Sequence, residues 1–196
     1  MDNKKRCKWC NLKNSQYIKY HDEEWGKENF EDKYLYEMLI LESFQAGLSW
    51  ECILNKRESF RKAYDGFDIE KVCSYNDKKI NELLENKGII RNKLKIKASI
   101  NNSKIFKEIL SEYGTFYNYL KTFTNGKILY EVNKTTNELS DKISIDLQKR
   151  GMKFVGSTII YSYLQAIGII YSHDKECFLY KNWHLLFGKT YAIISA

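Results

Sequence analysis

The sequence predicts an all-α fold. The chain of 196 residues contains no proline, and its apolar residues recur at the three- and four-residue spacing of a helix along most of its length. No two alternating apolar runs flank a hairpin turn, which argues against a sheet-based fold. With 43% hydrophobic residues, the chain is long enough for one globular domain or for two small helical lobes.

Capping residues divide the first half of the chain into successive helices. Asp, Ser and Asn side chains accept hydrogen bonds from the free N–H groups of a first helical turn, and glycine commonly ends a helix. The predicted helices run from Asp32 to Gly47, from Ser49 to about Tyr64, over a short stretch opened by Asp68, and from Asn76 to Gly88.

The second half begins with a long basic amphipathic helix, from about Arg91 to Tyr113. Gly114 separates it from a helix rich in aromatic residues. Residues 128–138 show weak periodicity and are predicted to form a loop. Two further helices, Ser140–Lys149 and Gly156–Ile167, complete the predicted fold.

Basic charge is concentrated in one segment of the chain. The formal net charge is +7, and residues 78–107 contain nine basic and two acidic residues, which accounts for the whole excess. A clustered positive charge is typical of a surface that faces nucleic-acid phosphates. A solvated helix face is the alternative interpretation.

The N-terminal sequence and the cysteine content bear on the compartment. No apolar run follows Lys4, Lys5 and Arg6, and no run of eighteen apolar residues occurs, so we expect neither a signal peptide nor a membrane span. We therefore expect a cytoplasmic protein, in which thiols stay reduced. In that setting the five cysteines favour metal binding over disulfides.

Four potential metal ligands lie near the two ends of the chain. Cys7 and His21 are near its start, and His173 and Cys177 are one helical turn apart near its end. Two sulfurs and two nitrogens suit a tetrahedral structural zinc ion, which would hold together terminal segments that otherwise fray. Two alternatives remain: Cys10 forms a competing C-x2-C pair with Cys7, or these side chains bind no metal.

A basic turn bracketed by glycines, Lys149–Thr158, joins the last two predicted helices. We interpret it as a helix-hairpin-helix element that binds the DNA backbone without reading its sequence, because the free amides of a helix N-terminus bind phosphate. An ordinary corner between two helices is the alternative. The candidate phosphate contacts are Lys153, Gly156, Ser157 and Thr158.

Four blocks of this sequence carry a shared pattern. They are Tyr17–Gly26, Glu42–Trp50, Gly88–Lys93 and Lys149–Thr158. Together they resemble the 3-methyladenine DNA glycosylase I family, within the helix-hairpin-helix DNA glycosylase superfamily. The resemblance is collinear over nearly the whole chain, from Cys7 to about Cys177.

The resemblance implies a helix-hairpin-helix glycosylase fold with one structural zinc ion that joins the N- and C-terminal segments. The catalytic domain would cover residues 1–182, and residues 183–196 would form a tail of unknown role. Cys10 would lie outside the zinc site. The zinc ligands would be Cys7, His21, His173 and Cys177.

The resemblance also implies a set of site residues. Glu42 would be the catalytic residue in a pocket that receives the flipped base. Gly47 and Leu48 would enter the gap that the flipped nucleotide leaves in the duplex. The substrate-binding residues would be Tyr17, Tyr20, Trp50, Trp9 and Trp25.

These residue types suit the hydrolytic removal of 3-methyladenine. The base must leave the duplex to be reached, and its positive charge weakens the glycosidic bond because the leaving group departs neutral. Aromatic rings can stack on the base and attract its charge. The Glu42 carboxylate can accept hydrogen bonds from the adenine edge and offset that charge. Neutral adenine gains less from the same site, so the site discriminates by affinity.

Two positions depart from the wider superfamily. Thr158 stands where bifunctional members carry a lysine nucleophile, so we expect neither a covalent imine nor strand nicking. Asp174 lies near the position of the catalytic aspartate of many members. It stands between two predicted zinc ligands, His173 and Cys177, so we do not expect it to be catalytic.

The predicted partner is alkylated double-stranded DNA, bound by a monomer. Three other functions stay open. They are a glycosylase of broader alkylpurine specificity, a non-catalytic protein that binds alkylated DNA, and a zinc-stabilised helical interaction module. The first would release other bases as well, the second would release none, and the third would not bind DNA at low salt.

Overall fold

Helices dominate residues 3–181, which are the residues that this computed structural model describes. The predicted tail, 183–196, lies outside them. None of the helices in this range is long and apolar enough to span a bilayer. The helices are α1 (Ser15–Glu23), α2 (Asp32–Gln45), α3 (Trp50–Leu54), α4 (Arg57–Ala63), α5 (Ile69–Cys73), α6 (Asp77–Glu85), α7 (Lys93–Tyr113), α8 (Phe116–Thr124), α9 (Glu138–Lys149) and α10 (Ser157–Ala166).

Three of the four helix starts predicted from capping residues in the first half of the chain are confirmed by their hydrogen bonds. The side chains of Ser49, Asp68 and Asn76 each accept a bond from the backbone N–H three residues further on. The prediction for Asp32 is wrong, because Asp32 is the first residue of α2 and makes no capping bond to it. Its carboxylate accepts a bond of 2.8 Å from the N–H of Phe116 and so stabilises the start of α8.

One predicted helix is two helices in the structure. The chain bends at Lys56, within the predicted helix Ser49–Tyr64, so that α3 and α4 are separate. Just after the bend, Arg57 is buried and donates hydrogen bonds to Glu24 at 2.7 Å and to Glu37 at 2.6 Å. This buried pairing connects α4 with α2 and with the end of α1, and sequence spacing alone does not indicate it.

The all-α prediction misses a short pair of parallel strands. Strand β1 (Leu129–Tyr130) pairs with β2 (Ile170–Tyr171), and β1 lies in the segment that was predicted to be a loop. Strands of two residues are too short to show an alternating pattern. Their pairing joins the chain before α9 to the chain after α10, close to the C-terminal part of the described range.

Helix α2 is the central element of the core. Residues 35–44 of α2 are all buried, because the helix packs against α3, α7 and α10. A helix that is buried on every side has no solvent-facing stripe. Glu42 lies on this helix, so the fold itself places its carboxyl group in the interior.

Candidate functional site

A cavity of about 350 Å³ lies beside the last turns of α2. Helix α1 contributes two tyrosines to its wall, and α3 contributes a tryptophan. All six residues that the sequence assigned to the base pocket line this cavity. They are Trp9, Tyr17, Tyr20, Trp25, Glu42 and Trp50.

Glu42 is a buried acid in this cavity without a compensating partner. The residue is 2% exposed, and its Oε2 atom has no hydrogen bond. Burial raises the pKa of Glu42 well above the ordinary value of a carboxyl group. An unpaired charge in such a place is costly. The site therefore favours a ligand that is positively charged or that donates hydrogen bonds.

Unsatisfied polar atoms are concentrated at this cavity. Within the described range, four buried side-chain polar atoms lack a hydrogen-bond partner, and three of them belong to residues that line it. They are Glu42 Oε2, Gln45 Oε1 and Trp50 Nε1. Folded proteins leave few buried polar groups unpaired, so this concentration indicates a site for a polar ligand.

Gln45 is a cavity residue that the sequence analysis missed. It follows Glu42 by three residues on α2, so the two side chains share one helix face. That spacing could have identified it. Besides Asp174, five further polar residues of the wall were not predicted to line it. They are Asn133, Lys134, Ser162, Gln165 and Ser172.

The aromatic residues form two groups of packed rings. The rings of Tyr20 and Trp50 have centroids 5.4 Å apart. The ring of Trp9 lies 5.3 Å from Tyr17 and 4.7 Å from Trp25. Burial raises the pKa of Tyr17 to about 12, and burial also raises the pKa of Tyr20 well above its ordinary value. Both phenols are therefore neutral at physiological pH and can donate hydrogen bonds.

A type II turn follows α2 directly. The Leu48 N–H donates to the Gln45 carbonyl oxygen at 2.6 Å. Ala46 has φ −43° and ψ 115°, and Gly47 has φ +76°, which are the values of a type II turn. A Cβ atom at Gly47 would meet nothing within 4 Å, so backbone conformation, and not space, requires glycine. The turn leaves Leu48 41% exposed.

The predicted hairpin lies between α9 and α10, and α7 fixes its backbone. Gly151 has φ +99°. The side chain of Asn102, on α7, donates to the Lys153 carbonyl at 2.8 Å and accepts from the Lys153 N–H at 2.9 Å. This pair of bonds holds Lys153 in one backbone position.

The first turn of α10 is open to a ligand through its backbone. Gly156 precedes the helix and provides no side-chain cap, and Ser157 and Thr158 are its first two residues. The Ser157 hydroxyl is already hydrogen-bonded to Ser140 at 2.8 Å and to Asp141. An anion at this point would therefore be bound by amide groups more than by the Ser157 hydroxyl.

The four predicted metal ligands come together in a buried cluster. Their ligand atoms all lie within 4.8 Å of one another. Cys7 Sγ is 3.4 Å from His173 Nδ1, and Cys177 Sγ is 3.5 Å from His21 Nε2. Two sulfurs and two imidazole nitrogens at these separations could hold one metal ion. The cluster does not include Cys10, whose thiol instead points to the Tyr17 carbonyl.

An outer hydrogen bond orients His21 in the cluster. Its Nδ1 donates to Asp22 at 2.8 Å, so Nε2 is the acceptor nitrogen that faces the cluster, where the Cys7 N–H donates to it at 3.3 Å. Arg6 in turn donates two bonds to Asp22, at 2.8 and 2.7 Å. Burial opposes ionisation of Asp22, but these bonds outweigh it and lower the pKa of Asp22. Burial lowers the pKa of His173 to about 4, so its imidazole is neutral, as a metal requires.

Asp174 also lines the cavity. Its Oδ2 atom accepts a 2.8 Å hydrogen bond from the backbone N–H of Lys8. Its own N–H points to Cys7 Sγ at 3.3 Å. These contacts hold the N-terminal segment against the chain that follows β2.

The chain is similar to proteins of one functional class. A family model described as methyladenine glycosylase matches residues 9–180. The chain is 38% identical over 181 residues to DNA-3-methyladenine glycosylase 1 of Escherichia coli (strain K12), across 89% of this chain and 96% of that protein.

Solved structures agree with this similarity. A crystal structure of 3-methyladenine DNA glycosylase I is similar with a TM-score of 0.86 and 36% identity, across 90% of this chain and 100% of the other. A variant of 3-methyladenine DNA glycosylase I in complex with 3-methyladenine is similar with a TM-score of 0.81 and 32% identity, across 85% of this chain and 92% of the other.

Proposed function

The chain belongs to the methyladenine glycosylase family, and from this we propose that it is a base-excision repair enzyme that removes 3-methyladenine from alkylated DNA. One observation of the structure carries the proposal. Three partnerless buried polar atoms meet in a cavity with aromatic walls. The solved relative that binds 3-methyladenine supports the choice of base.

The partnerless atoms complement an adenine edge. Adenine offers an exocyclic amino group that donates and ring nitrogens that accept. Glu42 Oε2 and Gln45 Oε1 are acceptors, and Trp50 Nε1 is a donor. A positively charged 3-methyladenine beside Glu42 would also favour the ionised carboxylate, because an opposite charge offsets the effect of burial.

The proposed reaction is hydrolysis of the bond between C1′ of the sugar and the base. The base first leaves the helix stack and enters the cavity. The bond then breaks with its electron pair on the base, which becomes neutral, and a water molecule adds to C1′ and loses a proton to solvent. Glu42 binds and orients the base, and Tyr17, Tyr20 and Trp50 stack around it and limit access of bulk water.

Two segments are proposed to bind the DNA. The exposed Leu48, presented by Gly47, would fill the gap that the flipped base leaves. Lys153 and the first-turn amides of α10 would bind backbone phosphates. The protein would act without strand nicking, because Thr158 offers no amine for an imine at the start of α10.

We propose zinc as the metal of the cluster formed by Cys7, His21, His173 and Cys177. Two thiolates and two imidazoles suit zinc, and four protein ligands leave no position for substrate. The ion would therefore be structural. It would join the segment before α1 to the segment after β2.

The test is to incubate duplex DNA carrying methylated purines with the protein and to chromatograph the released bases. Glu42→Gln removes the charge at the site, and Glu23→Gln removes a charge from the exposed end of α1 as a control. We expect free 3-methyladenine with little 7-methylguanine, lost in Glu42→Gln and retained in Glu23→Gln. Release of both bases would indicate broader specificity. DNA binding without any released base would indicate a binding protein and overturn the proposal.

A further inference from the structure

Lys95, on α7, is a buried lysine with an unusual pair of partners. The residue is 8% exposed. Its Nζ atom donates hydrogen bonds to the Phe44 carbonyl at 2.9 Å and to the Ala46 carbonyl at 2.5 Å. No carboxylate of the described residues compensates its charge, and burial lowers the pKa of Lys95. A buried ammonium group is costly, so a specific role is expected for it.

Its two partners flank the end of α2. The last carbonyl groups of a helix lack partners within the helix and carry the negative end of its dipole. A lysine that binds them therefore satisfies groups that would otherwise be unpaired. The Lys95 ammonium group lies 5.9 Å from the centre of the Phe154 ring, so the hairpin residue covers another side of it.

The hydrogen bond from Lys95 to the Ala46 carbonyl constrains the conformation of the turn that follows α2. The Ala46 carbonyl belongs to the central peptide of the Gln45–Leu48 turn. Type I and type II turns differ by a flip of this peptide, which reverses the direction of that carbonyl. A donor fixed at 2.5 Å from the Ala46 oxygen favours the type II form, in which Gly47 has positive φ and Leu48 is exposed.

We propose that Lys95 is a positioning residue for base extrusion: it holds the Gln45–Leu48 turn in the form that presents Leu48 to the gap in the duplex. The proposal rests on the function proposed above for this turn. It assigns to Lys95 a role different from that of the other lysines of the basic segment. Its ammonium group is committed to backbone carbonyls, whereas Lys93 and Lys97 are exposed and free to face phosphates.

The experiment compares Lys95→Met with Lys97→Met, which removes one exposed charge from the same helix. Three probes are used: free 3-methyladenine, a duplex with a stable abasic-site analogue, and the same duplex undamaged. The abasic analogue presents the gap without a base. Two charge-assisted hydrogen bonds are lost in Lys95→Met, so we expect its affinity for the abasic duplex to fall about tenfold or more.

The other two probes test whether the effect of Lys95→Met is confined to the turn. Free 3-methyladenine reports on the base pocket, and undamaged duplex reports on the phosphate contacts. For Lys95→Met we expect affinities for free 3-methyladenine and for undamaged duplex within about twofold of the unmodified protein, because neither probe offers a gap for Leu48. Lys97→Met should weaken binding to both duplexes equally and reduce the salt dependence of that binding. An equal loss for all three probes in Lys95→Met would mean that Lys95 maintains the fold, and no loss would mean that it is dispensable. Either result would overturn the proposal.

Hydrogen exchange of the Leu48 amide gives a readout that does not depend on DNA. This amide donates to Gln45 within the turn, so its protection reports the turn directly. We expect faster exchange at Leu48 in Lys95→Met with unchanged protection in the middle of α2. If the unmodified protein binds no 3-methyladenine, the proposed function fails. If the unmodified protein binds the base and Lys95→Met shows the same affinities and the same exchange at Leu48, only the proposed role of Lys95 fails.

Discussion

The indole ring of Trp25 packs edge-on against the imidazole of His173, with ring centroids 4.7 Å apart. Trp25 lines the cavity that contains Glu42, and His173 belongs to the Cys/His cluster. The ring of Trp9, two residues after Cys7, packs against the imidazole of His21 in a tilted arrangement, with ring centroids 5.2 Å apart. The cluster and the cavity therefore share an aromatic wall, and whatever orders the cluster also orders one side of the cavity.

Removal of the proposed zinc ion is expected to weaken base binding as well as stability. Chelation should lower the melting temperature and, in protein that is still folded, reduce the affinity for free 3-methyladenine, because Trp9 and Trp25 lose their support. Thermal unfolding and tryptophan fluorescence titration with the base measure the two effects. Full base affinity in folded, metal-free protein would show that the wall is independent of the ion.

Asp22→Asn is expected to lower zinc affinity by about 10–100-fold, because outer hydrogen bonds to a ligating histidine contribute this much. The amide cannot reproduce the charged bonds that Asp22 makes with His21 and Arg6. Competition with a metal indicator measures the affinity. Glu23→Gln, at the adjacent exposed position, is the matched control and should leave it unchanged. Equal affinities in both variants would contradict the role of Asp22.

Glu42→Gln is expected to stabilise the ligand-free protein while abolishing excision. Burial raises the pKa of Glu42 in the folded state, so its contribution to stability is present below the ordinary carboxyl pKa and is lost as pH rises through the folded value. Glutamine has no charge to bury. Its advantage in urea unfolding should therefore grow as pH rises above the ordinary carboxyl pKa. A gain that is independent of pH, or matched by Glu23→Gln, would contradict this reasoning.

Gly47→Ala is expected to reduce excision by straining the turn before Leu48. An L-residue at positive φ costs about 1–2 kcal/mol. Gly126→Ala is a matched control, because Gly126 also has positive φ, +70°, and open space around its Cβ position. The two variants should lose similar stability in chemical denaturation. Only Gly47→Ala should lose single-turnover excision, and parallel activities in the two variants would show that the turn has no special role.

Lys153→Ala is expected to weaken binding to damaged and undamaged duplex alike. A phosphate contact carries no sequence or damage information, and losing one should reduce the slope of log affinity against log salt by about 1. Fluorescence anisotropy at several salt concentrations measures this slope. Lys121→Ala, on α8 and outside the hairpin and the basic segment, should leave it unchanged. A loss of affinity confined to damaged DNA would show that Lys153 does not act through the DNA backbone.

Local chemistry allowed much of this structure to be predicted. Caps such as Ser49 and Asn76 act within three residues, so they are visible in sequence. The cavity and the cluster were predicted because the resemblance to a known family is collinear from Cys7 to about Cys177 and so covers their residues. Features that depend on distant partners were not. In the sequence, Lys95 is one more cation of a basic helix. Its burial becomes apparent only when the carbonyl groups at the end of α2, which it binds, are located in the fold. The β1–β2 pairing was missed for the same reason, because it joins residues that are far apart in the sequence.

Lys95 and Asn102 lie seven residues apart on α7, which is about 10 Å along the axis, or two turns. One contacts the turn that carries Leu48, and the other contacts the hairpin at Lys153. The separation and relative rotation of these two contact points are thus set by the covalent geometry of a single helix. Deleting one residue between them would rotate one contact by about 100° relative to the other. The spacing between the two proposed DNA contacts is therefore set by α7, and a bound duplex would have to adapt to it.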